Sequence, residues 1–174
     1  MKFFNPFTRR AVAVVTFLTT TALIFATDSI AQDIPYKDDR SGPKVLIQSY
    51  YNAINNHDYP RAYSYWHDPN TDFETWSKGF ATTKYVSVIF GPTYDDPGAG
   101  SNYWALPVAI SSLGTDGKVT IYSGCYSISR VQPDDIDTPP YRPTSILSGH
   151  LTETSKPFQA AVPIYSRGEN CPGS

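Results

Sequence analysis

At Tyr85 the apolar pattern of this 174-residue chain changes period, and that change fixes the class of fold. Upstream, Ile47, Tyr50, Tyr51 and Ile54 fall at i, i+3, i+4 and i+7, the apolar stripe of an amphipathic helix. Tyr59, Ala62, Tyr63 and Trp66 repeat the spacing, and Phe73, Trp76 and Phe80 share one side of a third helical segment. Downstream, Val86, Val88 and Phe90 alternate, and so do Trp104, Leu106, Val108 and Ile110. Helices come first and long strands follow. This segregation predicts an α+β fold in which N-terminal helices pack on an antiparallel sheet.

Local signals set the boundaries. Ser41 to Pro43 opens the first helix, and Asn55-Asn56-His57 ends it. Asp58 caps the second helix, with Pro60 in its first turn, and Thr71 or Asp72 caps the third. Strands are expected over 85–90, 103–113, 119–131 and 144–154, with Gly91 to Gly100 and Gln132 to Pro143 as loops. Gly114-Thr115-Asp116-Gly117 reads as a hairpin turn. Pro107, inside a strand, predicts an edge position or a bulge. Gly124 and Gly149 sit mid-strand and predict bends. Bent long strands make a strongly curved sheet, and helices across its concave side would leave a cone-shaped cavity.

The first 31 residues read as a secretory leader. Lys2, Arg9 and Arg10 precede an uncharged run from Ala11 to Ala26, and Ser29-Ile30-Ala31 supplies the small residues of a cleavage site. The run is shorter than the roughly 20 apolar residues a membrane span needs. The expected organisation is a signal peptide over 1–31, a flexible lead-in over 32–42 and one domain over 43–174, exported to the periplasm or beyond. Across the chain 14 basic residues face 16 acidic ones, and three of the basic ones lie in the leader. The acidic remainder offers no basic footprint for nucleic acid. The two cysteines, Cys125 and Cys171, are expected to form a structural disulfide in an oxidising compartment. Closing that loop stabilises by ~4 kcal/mol in the chain-entropy treatment.

Several segments together resemble the nuclear transport factor 2-like superfamily, the cystatin-like cone fold. They are Tyr50-Tyr51-Asn52-Ala53-Ile54-Asn55-Asn56-His57-Asp58-Tyr59, Arg61-Ala62-Tyr63, Phe73 with Trp76 and Gly79-Phe80, Pro107-Val108, and Gly124-Cys125-Tyr126. The resemblance spans about residues 43–155. It is to an exported bacterial branch, similar to the small domain ahead of the transpeptidase domain in some penicillin-binding proteins. It implies a cone fold. It does not imply one chemistry, because the superfamily holds isomerases, dehydratases, cyclases and members without catalysis.

The candidate site follows from the aromatic residues. Tyr51, Tyr63, Trp66, Trp76, Trp104 and Tyr126 are the expected pocket lining, since tyrosine and tryptophan give apolar walls with polar tips. His150 is the candidate acid or base. A period of two places it on the strand face of Ile146 and Ser148. No inward carboxylate pairs with it, since Asp72, Glu74 and Glu153 read as helix-start or outward positions. His57-Asp58 and His67-Asp68 read as caps and turns. Asp95-Asp96 and Asp134-Asp135-Ile136-Asp137 lack a calcium-loop template. No metal or cofactor is expected. The reading is a non-catalytic exported domain that binds a small ligand or a cell-envelope partner; a structural or assembly role, in which the open sheet face forms a homodimer, is a separate option. The alternative is an isomerase or dehydratase that uses His150 and the tyrosines.

Overall fold

The computed structural model describes residues 34–98, 100–131 and 144–165. The expected leader, the loop 132–143 and Cys171 lie outside the described residues. The architecture is α+β. Three helices, α1 (Pro43–Asn55), α2 (Tyr59–Tyr63) and α3 (Phe73–Lys78), precede five strands: β1 (Thr83–Phe90), β2 (Tyr94–Gly98), β3 (Ser101–Gly114), β4 (Val119–Val131) and β5 (Thr144–Glu153). A 3-10 turn follows at Phe158–Ala160. Among the described residues no helix is long and apolar enough to cross a membrane.

Helix α1 forms because one face is apolar. Leu46, Ile47, Tyr50, Tyr51, Ala53 and Ile54 are all buried against the sheet. Each large side chain so buried contributes about 1.5–3 kcal/mol. Its first residue is Pro43, as expected, but the cap is Gly42 and no side chain bonds there. Ser41 instead lends its carbonyl to Arg130 at 2.8 Å. Asp58 and Asp72 do cap α2 and α3, accepting from Arg61 N and Thr75 N. His57 takes φ 56°, a left-handed turn that separates α1 from α2.

The segment 34–42, expected to be flexible, is tied to the helices. The Asn52 carboxamide accepts from Lys37 N at 2.9 Å and donates to Pro35 O at 2.8 Å. Arg61 donates to Lys37 O at 2.6 Å, and Tyr65 donates to Asp38 at 2.7 Å. The Arg40 guanidinium lies 4.1 Å over the Tyr65 ring. The polar composition that reads as disorder here supplies partners for α1 and α2.

The sheet is antiparallel in the order β1-β3-β4-β5, and β2 also pairs with β3. The segment expected to be a loop therefore contains a strand. Tyr94 to Gly98 folds back on Ser101 to Ala105, because the long β3 extends past the end of β1 and leaves that edge to be paired. Pro107 sits at the join, and is neither at an edge nor in a bulge. β1 ends at Phe90 opposite Val108, and β2 begins at Tyr94 opposite Ala105. Pro107 O accepts from Gly91 N at 2.9 Å. In an antiparallel strand the N and O of one residue face the same side. The missing N–H of Pro107 thus falls where neither strand needs it.

Gly124 and Gly149 are sites of close approach. A Cβ on Gly124 would lie 1.9 Å from the His150 carbonyl oxygen. A Cβ on Gly149 would lie 2.5 Å from the Tyr126 ring. Between them β5 carries an irregularity: Ser148 pairs with Ser127 and Ile146 with Ile128, so Leu147 is one extra residue.

Candidate functional site

Tyr126 on β4 and Trp66, just after α2, face α1 across a cavity of about 620 Å³. Its walls are Tyr50 and Tyr51 from α1, Trp66, Trp76 and Phe80 from the second and third helical segments, and Tyr126 and Leu151 from the sheet. The volume falls within the range of small-molecule sites, roughly 300–1,000 Å³. The rings meet mostly edge to face. Tyr50 stands at their centre, with ring centroids 4.8 Å from Tyr51, 6.0 Å from Trp66, 6.3 Å from Trp76 and 6.4 Å from Tyr126. Trp76 and Phe80 approach to 4.9 Å.

The polar groups in this wall are neutral. The Tyr51 and Tyr126 hydroxyls share a 2.5 Å hydrogen bond. Burial pushes both hydroxyls well above the usual tyrosine range, and so it does Tyr50. They stay protonated at any physiological pH. The Trp66 indole N–H is buried beside the Tyr50 hydroxyl. Among the described lining residues Asp68 is the one carboxylate, and it is exposed. Such a wall stacks on rings and donates hydrogen bonds. It holds no pair of groups that could pass a proton at neutral pH.

Of the six expected lining residues, Tyr51, Trp66, Trp76 and Tyr126 meet here. Tyr63 stands behind them. Its ring packs on Phe73 and Trp76 at 5.4 and 5.3 Å, and its hydroxyl donates to Thr71 O at 2.7 Å. Trp104 packs on the core from β3, opposite Ile128, and does not line the cavity. Tyr50 and Phe80 were on the apolar stripes but not among the expected lining. Their helical positions gave the signal, and only the packing of the helices turned it into a cavity.

His150 is not at the site. It pairs with Cys125, while Tyr126 pairs with Gly149, so His150 faces the opposite side of the sheet and is exposed. The period of two fails because Leu147 inserts one residue between Ile146 and His150. One inserted residue moves every later side chain to the other face. An acid–base role for His150 beside these tyrosines is therefore ruled out by register.

The remaining candidates fall as follows. Cys125 is fully buried in β4 and is not free; its expected partner Cys171 lies outside the described residues. His67 gives its backbone N–H to Ile146 O at 2.9 Å. Asp95 lies in β2. Among the described residues no group of three His, Cys, Asp or Glu side chains could hold a metal ion.

No protein family model matches the chain, and no curated protein is similar to it. A solved structure, Bdellovibrio bacteriovorus Bd1075, matches 66% of this chain and 40% of its own, at 14% identity and a TM-score of 0.42. The chain thus spans well under half of that protein. A likeness this weak carries no conclusion about fold or activity, and the site stands on its own geometry.

Proposed function

We propose that this protein is an exported binding domain, without catalysis of its own, whose aromatic cavity takes an uncharged ring. The observation that carries this reading is the wall itself: six aromatic side chains, neutral hydroxyls and one exposed carboxylate around about 620 Å³. Ring stacking supplies the contact, and the Tyr hydroxyls supply donors for an acceptor on the ligand. On this reading the domain belongs to the nuclear transport factor 2-like cones. The strand irregularity at Leu147 and the close approaches at Gly124 and Gly149 support a strongly curved sheet, with α1 across its concave side. Export through the leader over 1–31 and a Cys125–Cys171 disulfide belong to the same reading. The ligand is then one met in the cell envelope or outside the cell.

The test is titration of the full chain with indole, N-acetyl-tryptophanamide and a methyl hexopyranoside, followed by the amide NMR shifts of the protein. Saturable binding of at least one of them, weakened by Trp76→Ala, is expected. Failure of all three to saturate, or binding indifferent to Trp76→Ala, sinks the reading.

A further inference from the structure

We propose that the ring entering the cavity is a side chain of an extended peptide, which pairs as an added strand with the open edge of β5. This rests on the binding reading above and names its ligand class.

Register decides which backbone groups of β5 face outward. Thr154 N donates to Ile121 O at 2.9 Å, so after the irregularity the even-numbered residues of this segment face β4. The N–H and C=O of Gly149 and Leu151 therefore face away from β4. β5 ends the strand order, and among the described residues no backbone group pairs with these two on that side. They recur every two residues, about 6.8 Å, the spacing at which an extended chain presents its own donors and acceptors. Gly149 and Leu151 also line the cavity. A strand laid on this edge would thus carry one of its side chains to the mouth between Trp66 and Tyr126.

The chain itself shows what this edge accepts. Ile146 faces outward too, and there the segment Tyr65 to His67 already runs as a short parallel partner. Ile146 N donates to Tyr65 O at 2.8 Å, and His67 N donates to Ile146 O at 2.9 Å. That pairing ends at His67, Asp68 to Thr71 go on to line the cavity, and among the described residues no backbone group pairs with the outward side of β5 at Gly149 or Leu151. Gly149 adds no side chain of its own to obstruct an incoming backbone. The opposite edge is different. On β1 the outward groups of Val86 are taken by the Asn55 carboxamide, which donates to Val86 O at 2.8 Å and accepts from Val86 N at 2.7 Å. The β1 edge is thus capped by a side chain at Val86, whereas among the described residues nothing caps Gly149 and Leu151 beside the aromatic socket. Main-chain bonding with a socket for an alternate side chain is the chemistry of strand addition.

The experiment is amide hydrogen exchange and titration by NMR on the full chain. The probes are the capped peptide acetyl-Thr-Thr-Trp-Thr-Thr-amide, N-acetyl-tryptophanamide, and two N-methylated peptides, one methylated at odd and one at even positions. The peptide is expected to bind about tenfold or more tightly than the single ring. It should slow exchange at Gly149 and Leu151 and leave the already paired His150 unchanged. Only one N-methylated peptide should lose the gain, because an added strand turns only every second N–H toward β5. If the peptide binds no tighter than the ring, or Gly149 and Leu151 stay unprotected, strand addition is wrong while ring binding stands. If both N-methylated peptides keep or both lose the gain, strand addition is likewise wrong. If no probe binds, both readings fall. Protection of Gly149 and Leu151 without peptide, rising with protein concentration, would show that a second copy covers the edge and would also overturn the proposal.

Discussion

The hydroxyls of Tyr51 on α1 and Tyr126 on β4 meet at 2.5 Å, the one side-chain hydrogen bond that joins the helical layer to the sheet within the cavity wall among the described residues. Both rings are buried, so each hydroxyl relies on the other. Removing one partner leaves the second unpaired, whereas removing both leaves an apolar contact. Tyr51→Phe and Tyr126→Phe should each cost about 1–2 kcal/mol. The double variant should cost less than the sum of the two. Urea unfolding of the four proteins in a mutant cycle measures this. Additive losses would show that the bond contributes nothing to the join.

The Asn55 carboxamide satisfies both outward groups of Val86 and so caps the β1 edge at that residue. Asn55→Ala removes two hydrogen bonds, and a loss of about 2 kcal/mol is expected. It also bares an edge that can pair with another chain. Light scattering should therefore show more association at a given concentration than in the unaltered protein. A variant equally stable and equally monodisperse would mean that Asn55 is incidental.

Gly124→Ala and Gly149→Ala should separate two kinds of close approach. At Gly124 the new methyl meets backbone, the His150 carbonyl at 1.9 Å, and β5 must move. At Gly149 it meets the Tyr126 ring at 2.5 Å. Overpacking of this kind costs about 1–3 kcal/mol, with Gly124→Ala at or above the upper end. Gly149→Ala should also weaken ring binding, because Tyr126 forms part of the wall. Thermal unfolding and the NMR titration with the ring ligands report the two effects. Equal stability losses, with binding untouched in Gly149→Ala, would contradict this account.

The Asp38–Tyr65 pair ties the segment 34–42 to the helices and gives it a pH signature. Burial tends to raise Asp38, but the Tyr65 hydroxyl and the Arg40 guanidinium together hold it below the usual carboxylate value. Burial, and then the bond to Asp38, push Tyr65 up to about 12. For Asp38, whose folded value is depressed, the stabilisation is present above pH 3.8 and is lost as pH falls through the folded value. For Tyr65, whose folded value is raised, it is present below pH 10 and is lost as pH rises toward about 12. Tyr65→Phe should therefore flatten both limbs of the stability profile. Unfolding midpoints at acid, neutral and alkaline pH test this, and a profile unchanged by Tyr65→Phe would exclude the pair as its source.

What was legible in the sequence is what local physics sets. The stripe of Ile47, Tyr50, Tyr51 and Ile54 predicts α1 because a helix must bury one face. Asp58 and Asp72 predict caps because a short carboxylate reaches the next turn's N–H. Strand β4 has the predicted bounds, 119–131, and Gly117 takes φ 82° in the predicted turn. The pairing of Tyr94 to Gly98 was not legible. Its Gly, Pro and Asp composition favours a loop, and only the overhanging end of β3 makes it a strand.

The candidate site divides along the same line. By itself the sequence determined that helices precede strands, where α1 and β4 begin and end, and that aromatic residues cluster on their inward faces. These follow from period and from caps, which act over a few residues. Tertiary structure alone decided that Tyr50 and Phe80 join the wall, that Tyr63 and Trp104 do not, and that His150 faces away. The reason is pairing between distant segments. The single residue Leu147 left over between β4 and β5 reverses the face of everything after it, and no count along one strand can reveal its partner's register.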